Sequence, residues 1–209
     1  MAVDLDELLR PSASALVLME VTRGTVGDLA GDSPLANAAR SRGHARHLVS
    51  LAHAARSVGV LVVHCTARFR ADGVGSMANA PVLHLAMKRE DRVGADSEGS
   101  DPIQELGPEP EDYVSSRLHG VGGFVGTELD PVLRSVGIKT VIIGGNSTNV
   151  GIMALVCEAV DFGYKVVVPS DGVVGVPIEY GDAVLEHSLK LLSKVMKTEE
   201  ILALWRRSL

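Results

Sequence analysis

Aromatic side chains are scarce in this chain. Trp, Tyr and Phe make up 3% of its 209 residues. A core must therefore be built from Val, Leu, Ile and Ala, and few rings remain to stack on unpaired bases. Cations are outnumbered: 20 Lys and Arg face 26 Asp and Glu, a formal charge of −6. With no basic run to offset that balance, binding to nucleic acid is not expected. The two cysteines, Cys65 and Cys157, lie far apart and form no Cys-x-x-Cys or Cys/His pattern. That argues against a disulfide framework and fits reduced thiols in a cytoplasm. Long apolar runs are missing too, the longest reaching roughly eight residues where a membrane span needs about 20. The acids of "MAVDLDELL" precede the first apolar stretch, the reverse of a secretory signal. The expectation is a cytoplasmic protein without cofactor or membrane partner. It takes a small-molecule substrate and associates as a homo-oligomer, dimer or tetramer.

What the chain does have is apolar bulk, 46% by residue, enough for one large core over residues 1–209. Strand and helix signals alternate along it. "SALVLMEV" (14–21) is apolar at consecutive positions, as a strand buried on both faces should be. "NAARSRGHARHLVSLAHAARSVGV" (37–60) reads as a helix stopped by Gly59, and "VLVVHC" (60–65) as the second buried strand. Residues 66–112 are rich in Gly, Pro, Asp and Ser around one helical piece, "APVLHLAMKRE". A long irregular stretch of this kind reads as a lid or interface segment. "DYVSSR" (112–117), "KTVIIGG" (139–145), "YKVVVPSD" (164–171) and "VMKT" (195–198) supply further strands. Helices read over "ELDPVLRSVG", "STNVGIMALVCEAVDFG", "IEYGDAVLEHSLKLLSKV" and "EEILALWRRSL" separate or follow them, the second with Ser147 or Thr148 as N-cap. Repeated β-α units of this kind predict an α/β fold: a three-layer α/β/α sandwich around a parallel, doubly wound sheet of about six strands.

In such a sheet ligands bind beyond the carboxyl ends of the strands. Those ends are expected to carry Glu20, His64 and Cys65, Arg117, the 144–151 turn, and Ser170 with Asp171. The turn opens a helix, whose unpaired N–H groups suit a carbonyl oxygen or oxyanion. Glu20 ends an apolar strand and is costly to bury alone, so Arg117 is its expected partner. An inherited structural ion pair and a working acid/base with a guanidinium clamp are both open readings. Cys157 lies six residues past Gly151, about 9 Å along the helix and rotated away; a buried packing role is expected for it. Cys65 and His64 alternate across a strand, so their adjacency makes no dyad. His119, in the Gly-rich stretch after Arg117, is a candidate proton shuttle.

The stretches "ALVLMEV…G" (15–24), "DYVSSR…GGFVGTELD" (112–130) and "VIIGGNSTNVG…A..FGYKVVVPSDGV" (141–173) resemble the isochorismatase-like hydrolases, which include nicotinamidases and other cysteine amidohydrolases. The resemblance implies a six-stranded parallel sheet in an α/β/α sandwich. It also implies that the family's catalytic Asp falls on Glu20, its Lys on Arg117 and its nucleophilic Cys on Gly151. The oxyanion donors would be the N–H groups of Ser147 and Gly151, with a cis peptide between Asn146 and Ser147. Asn146, Ser147, His119 and Phe124 complete the expected oxygen- and substrate-binding set. Isochorismatases proper are similar in having Gly at this turn, and they hydrolyse a vinyl ether by protonation from the first-strand acid. Nicotinamidases carry an Asp/His metal cluster after the second strand. Here His64, Asp72 and His84 are scattered and no metal is expected. Arg68 and Arg70 meet an anionic ligand, a neighbouring subunit or only solvent. Three readings stand: a cysteine-free hydrolase acting on a vinyl ether, ester or amide, an inactive member that binds a small molecule or serves as a scaffold, and a thiol hydrolase using Cys65.

Overall fold

Strands that are apolar on both sides need cover on both faces. In the computed structural model of the protein, residues 4–92, 94 and 97–207 are described; residues 93, 95 and 96 of the expected lid and the last two residues of the expected closing helix lie outside them. Strands β1 (Ser14–Met19) and β4 (Thr140–Asn146) are buried at every position. Their side chains alternate between two cores. Leu16, Leu18 and Ile142 enter one, and Ala15, Val17, Met19, Val141 and Ile143 enter the other.

With β2 (Leu61–Ala67), β3 (Tyr113–Arg117), β5 (Lys165–Pro169) and β7 (Lys194–Met196), these strands form a sheet of order β3-β2-β1-β4-β5-β7. Every pairing is parallel, and a two-residue β6 (Val173–Val174) adds a seventh strand beside β4. Helices α1 (Leu5–Leu8), α2 (Pro34–Arg42), α3 (His44–Ser57) and α9 (Thr198–Arg206) cover the first core. Helix α4 (Pro81–Met87) lies in the 66–112 segment, while α5 (Leu129–Ser135), α6 (Met153–Asp161), α7 (Ile178–Val184) and the single turn α8 (Lys190–Leu192) cover the second core. The result is the expected α/β/α sandwich. Trp205 fastens the last helix to the first by donating from Nε1 to the Leu9 carbonyl at 3.0 Å. No helix among the described residues is long and apolar enough to cross a membrane.

The run read as one helix over 37–60 is two helices. Gly43 adopts φ 61° and donates its N–H to the Ala39 and Arg40 carbonyls, which ends α2. The chain restarts with His44, fully buried under the β4 edge with Nε2 3.1 Å from the Gly145 carbonyl. Burial pushes its pKa down from 6.5 to about 4. Between those values the unfolded chain takes up a proton that the folded chain refuses, so the contribution is whole above pH 6.5 and is lost as the pH falls toward 4. Its size is roughly 3 kcal/mol. Urea unfolding at pH 7 and pH 4 should therefore show a larger acid loss for the wild type than for His44→Gln, by about that amount. Equal losses in the two proteins would contradict the assignment.

Candidate active site

β1 and β4 are neighbours, and the strand order runs outward from them in both directions. The crevice beyond their carboxyl ends is the ligand site of a doubly wound sheet. Glu20 stands at the end of β1 with φ 47°, the only described residue other than glycine with positive φ. That backbone costs about 1 kcal/mol. It is held by the Glu20 N–H donating to the Cys65 carbonyl at 2.8 Å and by Asn146 Nδ2 donating to the Glu20 carbonyl at 2.6 Å. The Glu20 carboxylate forms an ion pair with Arg117.

Arg117 closes β3, with β2 between it and β1. Its length spans that gap. Nη1 donates to the Thr66 carbonyl of β2 at 3.4 Å, Nε to the Gly120 carbonyl at 3.1 Å and Nη2 to Glu20 Oε1. The Gly120 loop is held from α6: Gly123 and Phe124 N–H both donate to Glu158 Oε2 at 2.9 Å. A Cβ on Gly122 would fall on the Glu158 carboxylate, so the glycine there makes room for the acid. Sequence reasoning missed Glu158, although the Gly122-Gly123 pair marks a close approach.

Beyond β4 the Asn146–Ser147 peptide is cis, as the resemblance implied. A π-helical turn, Thr148–Ile152, precedes α6, and neither Ser147 nor Thr148 caps it with a side chain. The Ser147 carbonyl instead accepts from Val150 at 3.1 Å and Ile152 at 3.0 Å, the residues either side of Gly151. A wide turn satisfies the backbone without a hydroxyl. A Cβ on Gly151 would lie 2.9 Å from the Asn146 carbonyl oxygen and 3.4 Å from Met19 Cε, so the backbone itself crowds the space a side chain would need.

Glu20, Arg117, Asn146, Ser147 and Gly151 line one cavity of about 400 Å³, a size suited to a small molecule. The 66–112 segment supplies part of its wall through Phe69, Leu83, Ala86 and Arg89. The helical piece expected to run through Glu90 ends at Met87, which leaves Arg89 just past α4, and nothing in the sequence marked it as a wall residue. His119 and Phe124 are not among the wall residues. His119 Nδ1 accepts from the Met77 N–H at 3.3 Å. Phe124 is buried and stacks on Phe162, centroid to centroid 5.2 Å, beside Tyr164.

Other expectations at the sheet edge are corrected. β2 continues to Ala67, which leaves His64 and Cys65 inside the strand. His64 Nε2 lies 3.0 Å from Asp112, which Arg56 also holds. Cys65 is buried, and burial pushes its thiol up to about 12, which disfavours the thiolate. Cys157 is exposed on α6, not packed in the core. Asp171 accepts from Thr198 N at 2.9 Å and Oγ1 at 2.7 Å and so secures the start of α9 instead of facing the cavity. Asp72 pairs with Arg70 and Asp101 with Arg68.

Known proteins share this frame. Residues 14–200 match the isochorismatase domain. Over 100 residues the chain is 32% identical to an uncharacterized isochorismatase family protein of Bacillus subtilis, covering 48% of this chain and 52% of that one. Over 118 residues it is 30% identical to maleamate amidohydrolase of Pseudomonas putida, covering 54% and 52%. The chain thus spans about half the length of these curated relatives. A cysteine hydrolase of Pseudomonas syringae shares the fold with TM-score 0.79 at 21% identity over 95% of each chain. N-carbamoylsarcosine amidase of Thermoplasma acidophilum does so with TM-score 0.68 at 24% identity over 88% of this chain and 96% of that one. The domain match runs from the first residue of β1 into α9, and by it the chain belongs to the isochorismatase family.

Proposed function

We infer that the protein is a small-molecule hydrolase that works without a cysteine nucleophile. Glu20 is its general acid/base, Arg117 fixes that carboxylate, and the N–H groups of Ser147 and Gly151 hold the reacting oxygen. The observation that carries this reading is that Glu20 and Gly151 line one small cavity at the carboxyl edge of the sheet. The family resemblance supports the view that Gly151 stands where related amidohydrolases carry their thiol.

With an ester or amide, Glu20 takes a proton from water as the water oxygen attacks the carbonyl carbon. The charge that develops on the carbonyl oxygen is received by the two amides. Glu20 then returns the proton to the departing oxygen or nitrogen. With a vinyl ether, Glu20 first protonates the double-bond carbon. Water then adds to the resulting cation, returns a proton to Glu20, and the adduct collapses. Arg117 cannot exchange a proton usefully near neutrality, so it positions and does not transfer.

One observation favours a second reading, an inactive member that only binds: Arg117 engages Glu20 directly, which ties up the carboxylate. Steady-state assays on p-nitrophenyl acetate and on a small alkyl vinyl ether separate the two. Under the first reading Glu20→Gln lowers kcat by about 100-fold, whereas Cys65→Ala and Cys157→Ala keep wild-type turnover. Loss of turnover in Cys65→Ala, or an active Glu20→Gln, would sink it. Binding without hydrolysis of either compound would favour the second.

A further inference from the structure

Two cations and one anion line the cavity, Arg89, Arg117 and Glu20. Arg117 and Glu20 are committed to each other. Arg89 is not committed in the same way. Its Nε and Nη2 donate to Asp91 at 3.0 and 2.7 Å, and Nη2 also reaches the Gly24 carbonyl at 2.6 Å. Among the described residues Nη1 has no partner.

Asp91 is not a wall residue. Its carboxylate is wedged against two glycines, since a Cβ on either Gly24 or Gly99 would fall on its Oδ2. Gly24 and Gly99 are themselves joined by a 2.9 Å backbone hydrogen bond. An acid set in this way, behind the guanidinium, fixes the Nε–Nη2 edge, the Gly24 carbonyl holds Nη2 again, and Nη1 is left for a ligand. The guanidinium is thus oriented before anything binds, which lowers the entropy cost of recognition. Around it the wall is apolar: Phe69 and, from α4, Val82, Leu83, Leu85 and Ala86.

We propose that Arg89 is the specificity residue of this cavity and that the ligand it selects is a small carboxylate on an apolar body, the carboxylate on Nη1 and the body against α4. This deepens the function proposed above and rests on the same cavity being the substrate site. It also assigns a role to Gly24 and Gly99, which keep Asp91 close enough to orient the arginine.

Calorimetric titration of the full chain with benzoate and with benzyl alcohol, equal in bulk and different in charge, tests it. The wild type should bind benzoate at least about tenfold more tightly. In Arg89→Met that preference should fall to near unity, and in Arg89→Lys, which keeps a cation but loses the fork, it should be partly retained. A preference that survives Arg89→Met, or that is absent from the wild type, would overturn the proposal. Because binding is read without turnover, failed hydrolysis would count against the catalytic reading alone.

Discussion

Alanine in place of Gly145 is expected to cost about 4 kcal/mol or more, in the range of the most damaging single substitutions. Two independent reasons combine. Gly145 has φ 117°, a backbone that side chains of L residues rarely adopt. An added Cβ would also fall on the Met19 carbonyl oxygen and lie 2.8 Å from the Met19 nitrogen. Both atoms belong to the backbone of β1, and Met19 is paired in register with Gly145. No side chain can swing away to relieve the overlap, so the two central strands must part at their carboxyl ends, where Glu20 and Asn146 meet. Gly137→Ala is the control, since Gly137 has φ 77° and nothing within 4 Å of a Cβ. That variant should lose only about 1 kcal/mol, the cost of the backbone conformation alone. Urea unfolding followed by circular dichroism reads both. Similar midpoints for the two variants would show that the clash is absorbed and that the argument is wrong.

The second large effect is expected at Arg117. Its side chain is 6% exposed and that of Glu20 17%, so the pair is screened weakly by solvent. Removing one member of such a pair takes away much of what offsets the desolvation of the other. Arg117→Met should therefore lose about 3–4 kcal/mol, a fall in Tm of roughly 10 °C for a chain of this size. Adding Glu20→Gln should recover part of the loss, because it removes the charge that Arg117 helped to offset. Arg117→Lys should not match the wild type, since one ammonium cannot serve Glu20, Gly120 and Thr66 in the fixed directions of a guanidinium. Thermal melts of the two single variants and the double variant form a cycle. If Arg117→Met melts with the wild type, or if the double variant is no better than the single, the pair is not what holds this edge together.

The fold was largely legible because its signals are local. Continuous apolar runs such as 14–19 and 140–143 require two-sided cover, and they received it. Glu20 stood out because a carboxylate at the end of such a run must be answered by a counter-charge. Cys157 is exposed, not packed as expected, for a reason the spacing contains. The buried face of α6 runs through Leu155, Val156 and Ala159, with Ile152 just before it, and 157 lies off that stripe. The helix over 37–60 was over-extended because apolar spacing continues across Gly43, while the left-handed turn that interrupts it leaves little trace in the pattern.

The amino-acid order by itself determined which segments are strands, which faces are buried and which residues end the apolar runs, since burial and backbone preference are settled within a few residues of each position. Glu20, Arg117 and the Gly151 turn were expected at one sheet edge, but that Arg89 joins them around one cavity was decided only by the tertiary structure. Strand order and register bring these residues together from distant parts of the chain. A guanidinium in an irregular loop acquires its role from an acid wedged between two glycines, and no periodicity records that contact.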